Sequence, residues 1–234
     1  MTGAEAPAVS LRALAKHYGD RQALRSVDLE IPRGRCFGLL GSNGSGKTTL
    51  LKIVAGLTRA TSGVVAVAGH EFPRAATAAR RALGVLFDQP LLPGDFTLAE
   101  ALRYTADLYQ VSPTSERAKS LVERAGLEWR VRDPVRTFSR GLTQRVSLIC
   151  ALLHDPEVLL LDEPFVGLDP RGCRWVEEMI GEQIERGKTV VLVTHELARV
   201  ERLCPELAVL QRGELVFRSA SRGWAVADVQ AVYG

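Results

Sequence analysis

The stretch RCFGLLGSNGSGKTTLLKIVAG, residues 35–56, decides the fold of this chain. A short apolar strand runs directly into a loop that contains Gly41, Gly44 and Gly46, and a helix follows the loop. Glycines let the backbone turn so that several N–H groups point at one anion, and the N-terminus of the helix adds partial positive charge. The pattern GxxxxGK[ST] therefore predicts a phosphate-binding loop over residues 41–48.

Two side chains of this loop carry the predicted chemistry. Lys47 is expected to reach the β- and γ-phosphates of a nucleotide, and the hydroxyl of Thr48 is expected to hold Mg²⁺. A glycine turn that starts a helix by chance is the alternative, but the loop, both side chains and both flanking elements match the pattern. The predicted nucleotide-binding residues of the loop are Gly41, Ser42, Asn43, Gly44, Ser45, Gly46, Lys47, Thr48 and Thr49.

Outward from the loop, apolar β-branched strands alternate with helices, which predicts a parallel sheet covered on both faces. Strands are predicted over residues 63–69, 80–87, 157–162 and 188–195, and helices over residues 144–154 and 173–187. Two amphipathic strands, residues 9–15 and 23–31, are predicted to pair around a turn at residues 18–22. The last predicted strand pair, residues 206–212 and 214–219, turns at Arg212 and Gly213.

Residues 90–136 differ in character, because two segments with helical spacing lie there and no strand candidate lies between them. We interpret them as a helical insertion in a β/α chain. The prediction is one domain over residues 1–234, with a core of residues 1–89 and 145–234 and a helical subdomain of about residues 90–144.

Composition excludes several classes of protein. Hydrophobic residues make up 46% and charged residues 24%, which is typical of a globular chain, and the net charge of +3 does not indicate nucleic acid or anionic lipid as a partner. No apolar run approaches the roughly 18–20 residues that span a bilayer, and the N-terminal residues lack a signal-peptide pattern. The four scattered cysteines predict buried free thiols rather than a metal site. We therefore expect a soluble cytoplasmic chain.

Two acids follow the apolar strand VLLLD, residues 158–162. Asp162 suits Mg²⁺, usually through water, and Glu163 suits polarising a water beside the γ-phosphate; a pair of solvated acids at a strand end is the alternative. His195 ends the strand 188–195. A lone histidine there is more often structural, but ligands gather at the carboxyl ends of strands in open α/β sheets, which favours a place in the site.

The ordered set of residues 41–49, Gln89, FSRGLTQR at residues 138–145, VLLLDEP at 158–164, VGLD at 166–169 and VTHE at 193–196 closely resembles the ATPase subunit of ATP-binding cassette (ABC) transporters. The resemblance covers nearly the whole chain. It implies an α/β P-loop NTPase fold of the ABC type, with an N-terminal antiparallel β subdomain, a parallel-sheet core and an inserted helical subdomain. It also implies ATP and Mg²⁺ as cofactors.

The same resemblance assigns roles to single residues. Tyr18 matches the aromatic residue that stacks on adenine, and Gln89 matches the glutamine that senses Mg²⁺ and the γ-phosphate. Glu163 matches the general base, His195 the switch histidine and Asp169 the aspartate of a loop at the dimer interface. The resemblance thus implies Glu163, His195 and Gln89 as catalytic residues, and Thr48, Gln89 and Asp162 as metal-binding residues.

The segment FSRGLTQR matches the family signature, which closes over the γ-phosphate bound by the opposite subunit. The implied trans contacts are Ser139, Arg140, Gly141, Leu142, Thr143 and Gln144. A serine hydroxyl, exposed N–H groups and a helix start also make an anion site on physical grounds, while a plain helix cap by Ser139 or Thr143 is the alternative. The commonest signature, LSGGQ, has glycine where Arg140 stands and glutamine where Leu142 stands.

The function that the resemblance implies is ATP hydrolysis that drives transport through separate transmembrane permease subunits. The chain would act as a homodimer or as a heterodimer with a second ABC ATPase, at the cytoplasmic face of the membrane, without nucleic acid. Leu91, Leu92 and Phe96 are candidate docking side chains, with buried core as the alternative. The form of the signature favours export, and the chain resembles the haem-exporter ATPase of cytochrome c maturation.

Three other functions stay open from the sequence. A soluble ABC-type ATPase that acts on ribosomes or DNA usually carries two cassettes or a long coiled-coil insertion, and neither is visible. A regulatory ATP-binding module without turnover would not need Lys47, Glu163 and His195 together. A small-molecule phosphotransferase or GTPase would leave the signature and His195 unexplained.

Overall fold

The computed structural model describes residues 6–219 and 224–233, without the side chains of residues 228 and 233. Ten strands lie in the described residues. They are β1 (Val9–Tyr18), β2 (Arg21–Ile31), β3 (Cys36–Leu40), β4 (Ser62–Val67), β5 (His70–Glu71), β6 (Leu83–Leu86), β7 (Val158–Asp162), β8 (Thr189–Val193), β9 (Glu206–Gln211) and β10 (Glu214–Arg218).

The helices of the described residues are α1 (Lys47–Val54), α2 (Ala76–Arg81), α3 (Leu98–Tyr109), α4 (Glu116–Arg124), α5 (Arg140–Leu152), α6 (Pro170–Glu185), α7 (Leu197–Leu203) and α8 (Val226–Tyr233). Two short 3₁₀ helices, Glu128–Arg130 and Val135–Thr137, separate α4 from α5. Within the part of the chain that the structure describes, no helix has the length and apolar character that a bilayer crossing requires.

The strands form two sheets. One has four antiparallel strands in the order β2-β1-β4-β5, and the other has six strands in the order β10-β9-β3-β8-β7-β6. The neighbours from β9 to β6 are parallel, and β10 pairs antiparallel with β9. All five residues of β3, β7 and β8 are buried, as expected for parallel strands covered on both faces. The predicted fold class is confirmed.

Alternate residues of the parallel strands enter two different hydrophobic clusters, because successive side chains of a strand point to opposite faces. Leu159 and Leu161 of β7 pack with helices α3 to α7, whereas Val158 and Leu160 pack with α1 and the four-stranded sheet. The six-stranded sheet is thus the central layer, and its strands end at the edge where α1 begins.

Two boundaries differ from the sequence-based expectation. The β1–β2 turn consists of Gly19 and Asp20 alone, since Tyr18 pairs with Arg21 and Gly19 takes a φ of 58° that shortens the turn. Helix α5 starts at Arg140 instead of residue 144. The predicted division between helical subdomain and core at residue 144 therefore falls inside one helix, and that division stays a prediction.

Candidate functional site

The phosphate loop connects β3 to α1 and makes two approaches that exclude a side chain. A Cβ atom on Gly41 would lie 2.3 Å from the carbonyl oxygen of Leu210. Gly46 has a φ of 112°, and a Cβ atom there would lie 2.7 Å from the carbonyl oxygen of Ala23. Glycine is therefore required at both positions, and the loop is held against β9 and β2 with its N–H groups at the start of α1.

Lys47 is the buried cation of this loop. Its Nζ atom donates hydrogen bonds to the carbonyl oxygens of Gly41 at 2.6 Å and Ser42 at 3.0 Å. Burial lowers the pKa of Lys47, and the nearby charges of Glu163 and Asp162 oppose that shift. The ammonium group is thus fixed at the centre of the loop, between the backbone and two carboxylates.

Thr48 and Asp162 lie in direct contact across the start of α1 and the end of β7. The Thr48 hydroxyl donates to Oδ2 of Asp162 at 3.0 Å, and Asp162 is only 2% exposed. Burial raises the pKa of Asp162, while the hydrogen bond from Thr48 opposes that rise. A carboxylate buried in this way gains from a cation, and a hydroxyl with a carboxylate is the oxygen donor set that Mg²⁺ takes beside a phosphate.

Protein oxygens supply only part of such a metal site. Across residues 6–219 and 224–233, no three histidine, cysteine, aspartate or glutamate side chains are grouped so that they could hold a metal ion by themselves. Thr48 and Asp162 would therefore hold Mg²⁺ together with phosphate oxygens and water, because Mg²⁺ keeps several waters and favours substrate phosphates.

Glu163 points to different partners from Asp162. Its Oε1 atom lies 2.9 Å from Nδ1 of His195, and its Oε2 atom accepts a hydrogen bond from the Thr194 hydroxyl at 3.1 Å. The backbone of Glu163 has a φ of 50°, which is uncommon for a residue with a side chain and stores strain of about 1 kcal/mol. Thr194 and His195 directly follow β8, so the ends of two neighbouring strands orient this carboxylate.

These residues surround one cavity of about 310 Å³. It is lined by Tyr18, Arg21, Ala23, Asn43, Gly44, Gly46, Lys47, Thr48, Thr49, Asp88, Asp162 and Glu163. Tyr18 is 49% exposed at the rim, where Nζ of Lys16 lies 4.7 Å from its ring centre. Gly41, Ser42 and Ser45 contribute through the loop backbone and do not line the cavity, and His195 reaches it through Glu163.

Gln89 is placed differently from the sequence-based expectation. Its side chain is exposed and does not line the cavity, whereas the preceding residue, Asp88, does. Phe87 is buried in the hydrophobic cluster beside α1, so the chain leaves β6 with Asp88 on the cavity side. The catalytic and metal-binding role expected for Gln89 stays a prediction.

Sequence reasoning missed three lining residues, Asp88, Arg21 and Ala23. Asp88 carried a usable signal, since it is an acid directly after a predicted strand of the same sheet. Arg21 is brought to the cavity by the two-residue turn after Tyr18, and the longer predicted turn concealed that arrangement.

The signature residues begin α5 and lie outside the cavity. Ser139 is the N-cap, and its Oγ atom accepts a hydrogen bond from the N–H of Leu142 at 3.3 Å. A Cβ atom on Gly141 would lie 2.5 Å from the carbonyl oxygen of Gly167, so this turn packs directly on the loop after Glu163. None of residues 139–144, all of which the structure describes, lines the cavity of their own chain.

Two further predicted residues have local partners. Gln144 is buried, and its Nε2 atom donates to the carbonyl oxygen of Glu163 at 3.3 Å. Asp169 caps α6, and its Oδ1 atom accepts from the N–H of Gly172 and from Arg145, each at 2.8 Å. The helix-cap hydrogen bond lowers the pKa of Asp169. The contact of Asp169 with a partner chain stays a prediction.

Comparison with known proteins agrees with this geometry. The sequence profile of the ABC transporter family matches residues 24–166. The chain belongs to the ABC transporter ATP-binding family. It is similar to the Nod factor export ATP-binding protein I of Cupriavidus metallidurans, with 38% identity over 210 residues that cover 89% of this chain and 69% of that protein.

Other members of the family show the same similarity. An uncharacterized ABC transporter ATP-binding protein of Bacillus subtilis is 37% identical over 89% of this chain and 68% of its own length. The solved ATP-binding subunit of an ABC transporter superposes with a TM-score of 0.87 at 29% identity, covering 96% of this chain and 98% of the other. A bacterial ABC transporter cassette solved as a dimer gives a TM-score of 0.82 at 29% identity, covering 92% and 100%.

Proposed function

We propose that this ABC ATPase hydrolyses ATP and thereby powers export of a substrate through separate membrane subunits. The observation that carries the proposal is the orientation of Glu163 by Thr194 and His195 beside Lys47 and Thr48. A solved relative, 27% identical, was captured after hydrolysis with ADP and phosphate bound, which supports hydrolysis in this architecture.

The residues of this chain divide the proposed reaction between them. The N–H groups of the phosphate loop and Lys47 bind and orient the phosphates, and we propose that the Tyr18 ring stacks on the adenine. Glu163 accepts a proton from the attacking water, while His195 and Thr194 hold its carboxylate in place. Mg²⁺ held at Thr48 and Asp162 would supply charge stabilisation at the phosphates.

A second copy of the chain, or another ABC ATPase, is proposed to complete the site. The first turn of α5 does not line the cavity of its own chain, but it has a helix N-terminus and a serine that suit an anion. A related cassette is known as a dimer. We propose that Ser139 and Gly141 of one subunit face the nucleotide held by the other, and that residues near Asp169 contact the partner.

An apolar groove is the proposed docking site for a membrane subunit. It has a volume of about 320 Å³, and exposed Leu57, Leu91, Tyr104 and Leu108 line it together with Leu92. The buried Oγ atom of Ser147 also lines the groove and has no hydrogen-bond partner in the described part of the chain. Contiguous exposed apolar side chains are typical of a surface that another protein covers. Phe96 contacts the groove through an edge-on packing with Tyr104.

Export is favoured because several of the most similar curated relatives are named as Nod factor export ATP-binding proteins. The relatives named above do not support haem export, so the resemblance to the cytochrome c maturation exporter is not carried into the proposal. Action on ribosomes or DNA has no observation in its favour. The chain spans 63% to 76% of the length of these relatives, and their substrates are not transferred.

The docking proposal is tested by affinity purification of the tagged chain from native membranes. We expect Leu108→Glu to remove a co-purifying protein that has several transmembrane segments, while ATP hydrolysis by the isolated chain persists. Trp129→Glu is the matched control, because Trp129 is 90% exposed and does not line the groove. Equal recovery of the membrane protein with both variants would show that the groove is not the docking site.

A further inference from the structure

Asp88 and Arg140 form an ion pair that connects the cavity wall to the first turn of α5. The aliphatic stem of Arg140 packs on Gly167. A Cβ atom on Gly167 would lie 3.1 Å from both Cγ and Cδ of Arg140. Two contacts therefore fix the guanidinium. Both charged side chains remain about half-exposed, so their pairing can exchange with other ions.

Asp88 is the third acid on the cavity wall, with Asp162 and Glu163. All three carboxylates line the same cavity, so a cation held at Asp162 also lies within the electrostatic field of Asp88. No cage of three such side chains exists in the described residues, so Asp88 does not complete a protein-only metal site.

We propose that Asp88 strengthens the binding of the divalent cation that accompanies the nucleotide, and that Arg140 competes with this cation for Asp88. The inference rests on the proposed nucleotide site. A cation near Asp162 and the guanidinium of Arg140 are both attracted to the carboxylate of Asp88. Each therefore weakens the interaction of the other with that carboxylate. By linkage, cation binding loosens the tie between the cavity wall and the signature turn.

The test measures cation affinity directly, without turnover. Mn²⁺ is titrated into the protein with saturating ADP, and free Mn²⁺ is followed by its electron paramagnetic resonance signal. We expect Asp88→Asn to weaken Mn²⁺ binding and Arg140→Met, which keeps an apolar stem on Gly167, to strengthen it. Each change should be about two- to fivefold, the range of an exposed ion pair.

The double variant decides between competition and two separate effects. In the Asp88→Asn background, Arg140→Met should change Mn²⁺ affinity no further, because the carboxylate for which the cation and arginine compete is gone. In the original chain, Arg140→Lys keeps the positive charge, so its Mn²⁺ affinity should be close to the original. Arg136→Met is the matched control, since Arg136 forms an exposed ion pair with Asp95 away from the cavity and should leave Mn²⁺ affinity unchanged.

Two outcomes would overturn the proposal: an Asp88→Asn variant with unchanged Mn²⁺ affinity, or a full Arg140→Met effect that survives in the double variant. Circular dichroism identifies a variant that does not fold, and Arg140→Gln then replaces Arg140→Met. If the original chain binds no Mn²⁺ in an ADP-dependent manner, the proposed nucleotide site itself fails, which is a different result from unchanged variants.

Discussion

The Nδ1 atom of His195 lies 2.9 Å from the Oε1 atom of Glu163, across the ends of two neighbouring parallel strands. With the Thr194 hydroxyl on the other carboxylate oxygen, both oxygens of Glu163 have a partner. The side chain is therefore held by residues of its own chain, and it lies on the wall of the cavity that contains Lys47.

Replacement of Glu163 tests its role as the base. We expect Glu163→Gln to bind ATP normally and to hydrolyse it about 10²- to 10⁴-fold more slowly, because the amide keeps the shape of the carboxylate but accepts no proton. Phosphate release and equilibrium ATP binding are the two measurements. Unchanged turnover would move the base role, and His195 would be the first residue to examine.

Replacement of Lys47 tests the phosphate loop. Lys47→Ala should abolish ATP binding without unfolding the chain, since it removes the buried ammonium group at the centre of the loop. Binding of a fluorescent ATP analogue and thermal unfolding measure the two effects. A variant with the original affinity would contradict the assignment.

Tyr18 lies on the cavity rim, and its replacement tests stacking on the adenine. Tyr18→Ala should weaken ATP binding more than inorganic triphosphate binding, because triphosphate has no base to stack on the ring. Unchanged ATP affinity would contradict the stacking role.

Mixing two inactive variants tests whether the signature acts in trans. Lys47→Ala removes the phosphate site of one chain, and Ser139→Arg blocks the signature of the other. A mixed dimer then has one intact composite site, so part of the hydrolysis rate should return on mixing if Ser139 faces the partner's nucleotide. Each chain carries its own tag so that doubly purified mixed dimers can be assayed. The trans role would be refuted if the purified mixed dimers had no activity and if mixed dimers that also carry Glu163→Gln retained no ATP.

Gly84 of β6 tests how tightly the parallel sheet packs on α5. A Cβ atom there would lie 2.2 Å from the carbonyl oxygen of Ala151, so Gly84→Ala should destabilise the chain by about 1–3 kcal/mol. Gly181→Ala is the control. Gly181 lies exposed inside α6 with nothing within 4 Å, and the change should stabilise by up to about 1 kcal/mol. Urea unfolding measures both, and equal values would contradict this account of the packing.

His154 makes stability depend on pH. Burial lowers its pKa from 6.5 to about 4, while its hydrogen bond to the carbonyl oxygen of Leu83 opposes the shift. Between these values the unfolded chain binds a proton and the folded chain does not, so the free energy of unfolding falls as the pH decreases from 6.5 toward 4.

Replacing this histidine should remove that part of the pH dependence. Between pH 7 and 4.5, His154→Gln should lose about 2–3 kcal/mol less unfolding free energy than the original chain. The glutamine can still donate to Leu83, which limits the loss of stability at neutral pH. Urea unfolding at several pH values gives the comparison, and parallel curves for both proteins would show that His154 is not responsible.

The sequence predicted the sheet and the phosphate site because both depend on local patterns. The glycines of residues 41–46 and the apolar runs before Asp162 and His195 determine their own geometry. By contrast, the position of Asp88 depends on how Phe87 packs, and the pair between Asp88 and Arg140 joins residues 52 positions apart. Tertiary packing determines such contacts, whereas the role expected for Gln89 stays a prediction.

The start of helix α5 was also mispredicted for a physical reason. Gly141 is unfavourable in a helix interior, and the apolar periodicity alone predicts a start at residue 144. The Ser139 cap begins the helix four residues earlier. Capping and trans contact are compatible, because the cap leaves the exposed face of the turn free.

Gly141 approaches the carbonyl oxygen of Gly167 so closely that no side chain fits between the first turn of α5 and the loop that ends at Asp169. The two segments therefore pack backbone against backbone, and we expect a displacement of one to displace the other. In a dimer, a displacement of the first turn of α5 would therefore also displace the loop that follows Glu163. Coupling between two subunits would then not have to pass through the core, because Gly141 contacts the loop at Gly167 directly.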